Sequence, residues 1–302
     1  MILLMDKTNW PDFAKDYANL LASDLTSQGV SFPSDLLDDS TYFLSKYISY
    51  ASRTISKKRR KTHLSNYLLS SPQYITHQNI VENLKKISED GGDLSHYQSK
   101  SIERFNYKER MFFDWSILHL HLGNPTNSRF SQRSGPLLFL TVSETDAYFI
   151  AIRGHGAWGE QLFLNIVDQE WQHLTDSFVL QGAISISPTL SPRETIEARK
   201  AGIQAIVQIR QGRCLMPTGG GITTNGDSMA AMLQAQQIVA DLRKLEEMVY
   251  TNKCFYCNNL KVTKWQDIML RNVESNGKVL LVNRNYPNSY QIPSKIPSAG
   301  ML

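Results

Sequence analysis

Three histidines and three arginines in the middle of this chain have the types and spacing to move protons and to hold a phosphate. The stretch DWSILHLHLG, Asp114 to Gly123, sets His119 and His121 one residue apart in an apolar run. On a strand, residues two apart share a face. The two imidazoles then point together with Ile117, while Ser116, Leu118, Leu120 and Leu122 point the other way. The leucine side is expected to be buried, leaving the imidazoles to line a groove or face solvent. Gly123-Asn124-Pro125 turns the chain away, Arg129 and Arg133 follow, and RGHGAW sets Arg153 at a strand end with His155 between two glycines. A loop at a strand end exposes a reacting group on a rigid support.

Histidine titrates near neutrality and serves as base and acid in one turnover, and arginine gives bidentate hydrogen bonds to phosphate. With His119, His121 and His155 dividing the proton transfers, Arg133 stabilising the transition state and Arg129 and Arg153 binding substrate, the set suits metal-independent RNA cleavage. One imidazole takes the ribose 2'-hydroxyl proton and another protonates the leaving oxygen. Two other readings stand beside it. Histidines on a sheet face are often structural, bonded to backbone carbonyls. Three convergent imidazoles are also the number a catalytic zinc site uses, although the glutamate that a cupin-like site would add is absent. No motif calls for a cofactor.

A second candidate is PTGGGITTNGDS, Pro217 to Ser228. Gly219, Gly220 and Gly221 free the backbone to present N–H groups, Thr223, Thr224 and Ser228 add hydroxyls, and a helix begins behind them, so an anion could sit there. No GK[ST] follows, so it is not a P-loop, and a connector capped by Asp227 is the competing reading. The basic run Lys57 to Lys61 reads as a solvated helix end or a phosphate rest. Cys254 and Cys257 form half of a zinc-ribbon pattern with no second half downstream.

The elements that must position these residues fall into four segments. Residues 1–106 read as helical: a helix capped at Asn9 and stopped at Gly29, a second after Pro33, and a third from Pro72 to Gly91-Gly92. Residues 107–180 switch to period two, with LLFLTV and AYFIAIR forming a hairpin and a helix over Glu160 to Trp171 packing across it. Residues 181–250 hold a helix capped by Ser191-Pro192, two strands around Gln211-Gly212, the glycine loop and a long helix. Residues 251–302 are an extension whose end, from Asn283, is Asn-, Ser- and Pro-rich and expected to be loosely ordered. The fold class is α+β, with a helical N-terminal region followed by a small antiparallel sheet and packed helices.

With 41% hydrophobic and 20% charged residues the composition is globular, and no apolar run approaches the roughly 18 residues of a membrane span. Three cysteines are too few for a disulfide framework, and the start lacks the features of a signal peptide, which fits a reducing cytoplasm. A net charge of +4 is compatible with an anionic partner but far from a nucleic-acid coat.

The order of helices, a polar strand, LLFLTV, a turn, AYFIAIR and then the histidine of RGHGAW resembles the core of RelE/ParE-type bacterial toxins over residues 107–171. The HLHLG segment is also similar to one in bacterial mobile-element and defence-island proteins. The resemblance implies an endoribonuclease acting as a toxin or defence effector, with RNA as substrate and a neutralising protein as partner. The alternative is a non-enzymatic module whose basic, histidine-rich face holds nucleic acid or protein.

Overall fold

The computed structural model describes residues 11–133, 135–252, 260, 268–276, 278–283, 286–293 and 297. Among them are eight α-helices and three small sheets, a mixed α+β architecture. No helix among the described residues is long and apolar enough to cross a membrane. The chain divides into a central unit, residues 52–230, and a terminal unit, residues 1–51 with 231–302. This grouping cuts across the boundaries at 106, 180 and 250, because the central sheet draws in a strand from the N-terminal segment and the first helices group with the C-terminal one.

In the central unit, β1 (Lys61–Leu64), β2 (Leu118–His121), β3 (Pro136–Val142) and β4 (Asp146–Gly154) form one sheet in the order β1-β4-β3-β2. The β3–β4 hairpin is the expected one, and β2 pairs antiparallel with β3. The first strand, from the otherwise helical N-terminal segment, pairs parallel with β4 and adds a strand to the expected α+β sheet. This strand is only four residues long and opens inside the basic run, whose charge conceals it. Within that run Arg60 turns inward and donates to the carbonyls of Ser143 (2.7 Å) and Ser56 (2.8 Å), so the run is a strand entry and not a helix end.

Alternation gives the sheet two apolar faces. Leu118, Leu120, Leu122, Leu138, Leu140 and Phe149 pack with Val81 and Leu84 of a helix over Pro72–Asp90. That helix starts where Ser71 accepts from the Tyr74 amide and stops at Gly91 (φ +77°), where a side chain would be strained. The opposite face, with Ile117, Leu137, Phe139 and Ile150, packs on Phe163, Ile166 and Val167 of the helix over Leu162–Glu170. Ser191 caps the helix Pro192–Lys200 in the expected capping box with Glu194, and β5 (Val207–Arg210) and β6 (Arg213–Leu215) make the expected hairpin. In chain order the helices of this unit are α3 (Asn66–Leu69), α4 (Pro72–Asp90), α5 (Arg110–Trp115), α6 (Leu162–Glu170) and α7 (Pro192–Lys200), after α1 (Phe13–Ser27) and α2 (Ser40–Ser52), and α8 is Met229–Thr251.

In the terminal unit α1 is capped by Asp12; Asn9 lies outside the described residues. An antiparallel sheet of β7 (Ile268–Val273), β8 (Lys278–Asn283) and β9 (Tyr286–Pro293) ends the unit. The tail expected to be loose from Asn283 therefore contains a paired strand: backbone pairing with β8 and burial of Ile292 outweigh its polar composition. Asp16 of α1 accepts from the Leu270 amide at 3.0 Å, tying helix to sheet.

Leu120 is fully buried between the sheet and α4. Leu120→Asp would leave a carboxylate without partners in that layer, at a cost of several kcal/mol. The expected result is loss of the cooperative unfolding transition of the central unit, read by hydrogen exchange across β2 to β4, whereas Leu120→Met retains it.

Candidate functional site

Sheet topology brings the predicted residues to one end. The last residue of β2, the first of β3 and the last of β4 lie side by side, with Pro136 opposite Gly154. Cross-strand rows run His121–Leu137–Arg153 and His119–Phe139–Ala151. His121 and Arg153 thus stand on one face, while the 122–135 loop carrying Arg129 and Arg133 and the turn carrying His155 leave from the same edge.

The three imidazoles converge. Ring centroids of His119 and His121 are 5.8 Å apart, and those of His121 and His155 are 5.9 Å apart. Two of them are buried, His119 at 7% and His121 at 4% exposed, whereas His155 is exposed. The expectation that His119 and His121 face a groove or solvent is corrected. After Gly156 (φ +105°) the turn Ala157–Gly159 lays Trp158 against His119, with its ring 4.7 Å from that of His119, 5.5 Å from Phe139 and 6.1 Å from His155. Burial, and then the neighbouring His121 and His155, push the His119 pKa down to about 3. Its neutral form is favoured at neutral pH, which suits a packed ring better than a protonated acid.

The arginines separate. Arg153 pairs with Glu160, its Nη2 2.9 Å from Oε2. Arg133 is exposed in the loop leading to β3. Arg129 is drawn to Glu103 at 2.5 Å and lies over Phe130, so its charge is already engaged beside the loop. Among the described residues no group of three or more His, Cys, Asp or Glu side chains is arranged to hold a metal ion, which leaves the three-histidine zinc reading without support. Cys254 and Cys257 lie outside the described residues.

Sequence reasoning missed the pair that holds the turn in place. Arg199 of α7 donates to Asp114 at 2.6 Å, with side chains 4% and 3% exposed. Its guanidinium lies 3.9 Å from the Trp115 ring centroid, and its Nη1 donates to the Trp158 carbonyl. Burial disfavours the charge on each partner, raising the Asp114 pKa and lowering that of Arg199, and the opposite charge counters it. Behind the turn, a Cβ on Gly159 would come within 2.0 Å of the Pro192 carbonyl oxygen, so only glycine lets the turn meet the start of α7. Asp114 opens the very stretch that holds the histidines, but its partner lies 85 residues away, beyond any local pattern.

The glycine-rich loop is spent on the fold. The amides of Gly219 and Gly221 donate to the carbonyls of Asp114 and Phe113, that of Gly220 to Pro217 and that of Thr223 to Asp227. A Cβ on Gly219 would lie 2.3 Å from the Phe112 oxygen. Ile222 and Ser228 form an antiparallel bridge, and the Thr223 hydroxyl accepts from the Asp227 amide. The amides of Gly219, Gly220, Gly221 and Thr223 already serve protein acceptors, and the glycines permit close approach to the end of α5, as a connector requires. Thr224 lies close to Gly202, whose Cβ would sit 2.5 Å from the Thr224 oxygen, and takes part in the same packing.

Just before α5, Glu109 is buried and hydrogen-bonded with Tyr107, near Arg53, which donates to the carbonyls of Ile102 (2.9 Å) and Tyr107 (2.6 Å). Burial raises the Glu109 pKa from 4.5 to about 7, more than the Tyr107 bond and the Arg53 charge lower it. No family model, curated protein or solved structure matches the chain, so its reading rests on its own residues.

Two outcomes follow from these buried charges. Arg199→Met leaves the Asp114 carboxylate buried and unpaired and should cost about 3–5 kcal/mol in urea unfolding, most of which the double change Arg199→Met/Asp114→Leu should recover. Glu109 binds more protons folded than unfolded between the ordinary glutamate value and about 7. Its contribution is therefore full below that window and is lost as pH rises through it, by about 3 kcal/mol at ~1.36 kcal/mol per unit. Urea titrations of wild type and Glu109→Gln across that window should show a shallower decline in the variant.

Proposed function

We propose that the central unit is a metal-independent, RNA-acting endonuclease site of the RelE/ParE kind, with His155 as the group that meets substrate. The observation that supports this is the convergence of three imidazoles from one strand and one turn at an edge that also carries Arg133 and Arg153. His155 exchanges a proton with the ribose 2'-hydroxyl or the leaving oxygen. His121, in ring contact behind it, is the second proton carrier. His119 stays neutral in ring contact with His121, and Trp158 packs on the His119 ring. Arg133 supplies positive charge to the phosphate as negative charge develops, and Arg153 extends the row toward it. Such a protein would act as a toxin or defence effector held in check by a partner protein.

Burial of His119 and His121 favours a second reading, a binding module in which the inner histidines are purely structural and the arginines alone meet nucleic acid. Cleavage assays on single-stranded and ribosome-bound RNA separate the two. The nuclease reading expects cleavage that persists with a chelator, and a loss of about two to four orders of magnitude in His155→Ala with RNA affinity largely kept. RNA left intact at every pH, with affinity that falls as arginines are removed, would overturn it in favour of the binding module.

A further inference from the structure

Trp158 also lines a cavity of about 200 Å³ that the three histidines do not border. It is a half-open pocket between the start of α5, the 157–159 turn and α7. Met111, Trp158 and Ile196 give it apolar walls, and Arg110, Arg199 and Lys200 give it three cations. Two of these hold buried donors with no hydrogen-bond partner among the described residues, Nε of Arg110 and Nη2 of Arg199. Both nitrogens are sealed off from the cavity itself, so what the cavity offers a ligand is the positive charge of Arg110, Arg199 and Lys200 rather than those two donors. Asp114 offsets only the charge of Arg199. The one carboxyl in the lining, Glu109, is bonded with Tyr107 and kept largely protonated by burial below about pH 7, so it does little to cancel Arg110 and Lys200.

Size narrows the ligand. At roughly 30 Å³ per water molecule the cavity holds on the order of six waters, and it is smaller than the roughly 300–1,000 Å³ of drug-sized sites. That room suits one ring or a short apolar group, and anything larger would extend into solvent. We infer that this cavity binds a small organic anion, a single planar ring or short apolar group bearing one carboxylate or phosphate. The ring packs against Trp158, Met111 and Ile196, and the anionic oxygens face the positive charge of Lys200 and Arg110. The inference goes beyond RNA cleavage and does not rest on it.

Calorimetric titration of the full chain with benzoate, phenyl phosphate and neutral benzamide tests it. One of the two anions should bind with one site per chain, at least about tenfold tighter than benzamide, because the charge-assisted bonds are lost in the neutral probe. Ile196→Trp, which fills the cavity, should abolish binding while the unfolding transition persists. Lys200→Gln, at an exposed position that the fold tolerates, should weaken the anion and leave benzamide unchanged. Failure of both anions to bind at millimolar concentration would overturn the inference, as would equal affinity for benzamide or binding unaffected by Lys200→Gln. RNA cleavage is not read in this experiment, so its failure leaves the nuclease reading standing.

Discussion

The Arg199–Asp114 pair is the interaction on which the candidate site depends. Neither charge has water to fall back on, and each disfavours the other's removal: without Arg199 the carboxylate is buried alone, and without Asp114 the guanidinium is. The pair joins three pieces distant in sequence, the end of α5, the end of α7 and the turn at Trp158. Stacking on Trp115 fixes the plane of the guanidinium, and that plane sets where the Trp158 carbonyl must be. Close packing of Gly159 on Pro192 and of Gly219 on the end of α5 removes the freedom that a turn would otherwise keep.

That clamp holds the indole that packs on His119. A strand with two imidazoles on one face would ordinarily present both to solvent, and here both are buried, His119 against Trp158 and His121 behind His155, which alone of the three is exposed. Chemistry follows burial. A neutral ring under an indole carries no positive charge to a phosphate, whereas an exposed ring on a glycine-flanked turn reaches a substrate. The adjacent cavity shares Trp158 and Arg199 with this arrangement, so one aromatic residue borders two chemically different spaces.

Much of the fold was legible in the sequence where the signal is local. The β3–β4 hairpin, the Ser191 capping box, the Ser71-Pro72 helix start and the side-chain alternation of β2 all follow from spacing within a few residues. The parallel strand β1 was hidden because its partner is β4 and its four residues open in a basic run. Strand β9 was hidden because polar composition imitates a loop while its stability comes from backbone pairing. For the site, alternation correctly put His119 and His121 on one face, but it says nothing of what covers that face. Trp158, Asp114 and Arg199 had no pattern to betray them, and the glycines of residues 219–221 imitated a phosphate cradle because close backbone packing and anion binding call for the same residue.

The central claim is that the clamp keeps His119 dry and neutral by holding Trp158 over it. The direct test is an NMR titration of the His119 imidazole in wild type and in Arg199→Met, under conditions where the variant remains folded. The account predicts a ring that stays neutral in wild type down to a pKa of about 3 and titrates markedly higher, toward the ordinary histidine range, once the turn is released. A His119 pKa near the ordinary value in wild type, or one unmoved by Arg199→Met, would contradict it.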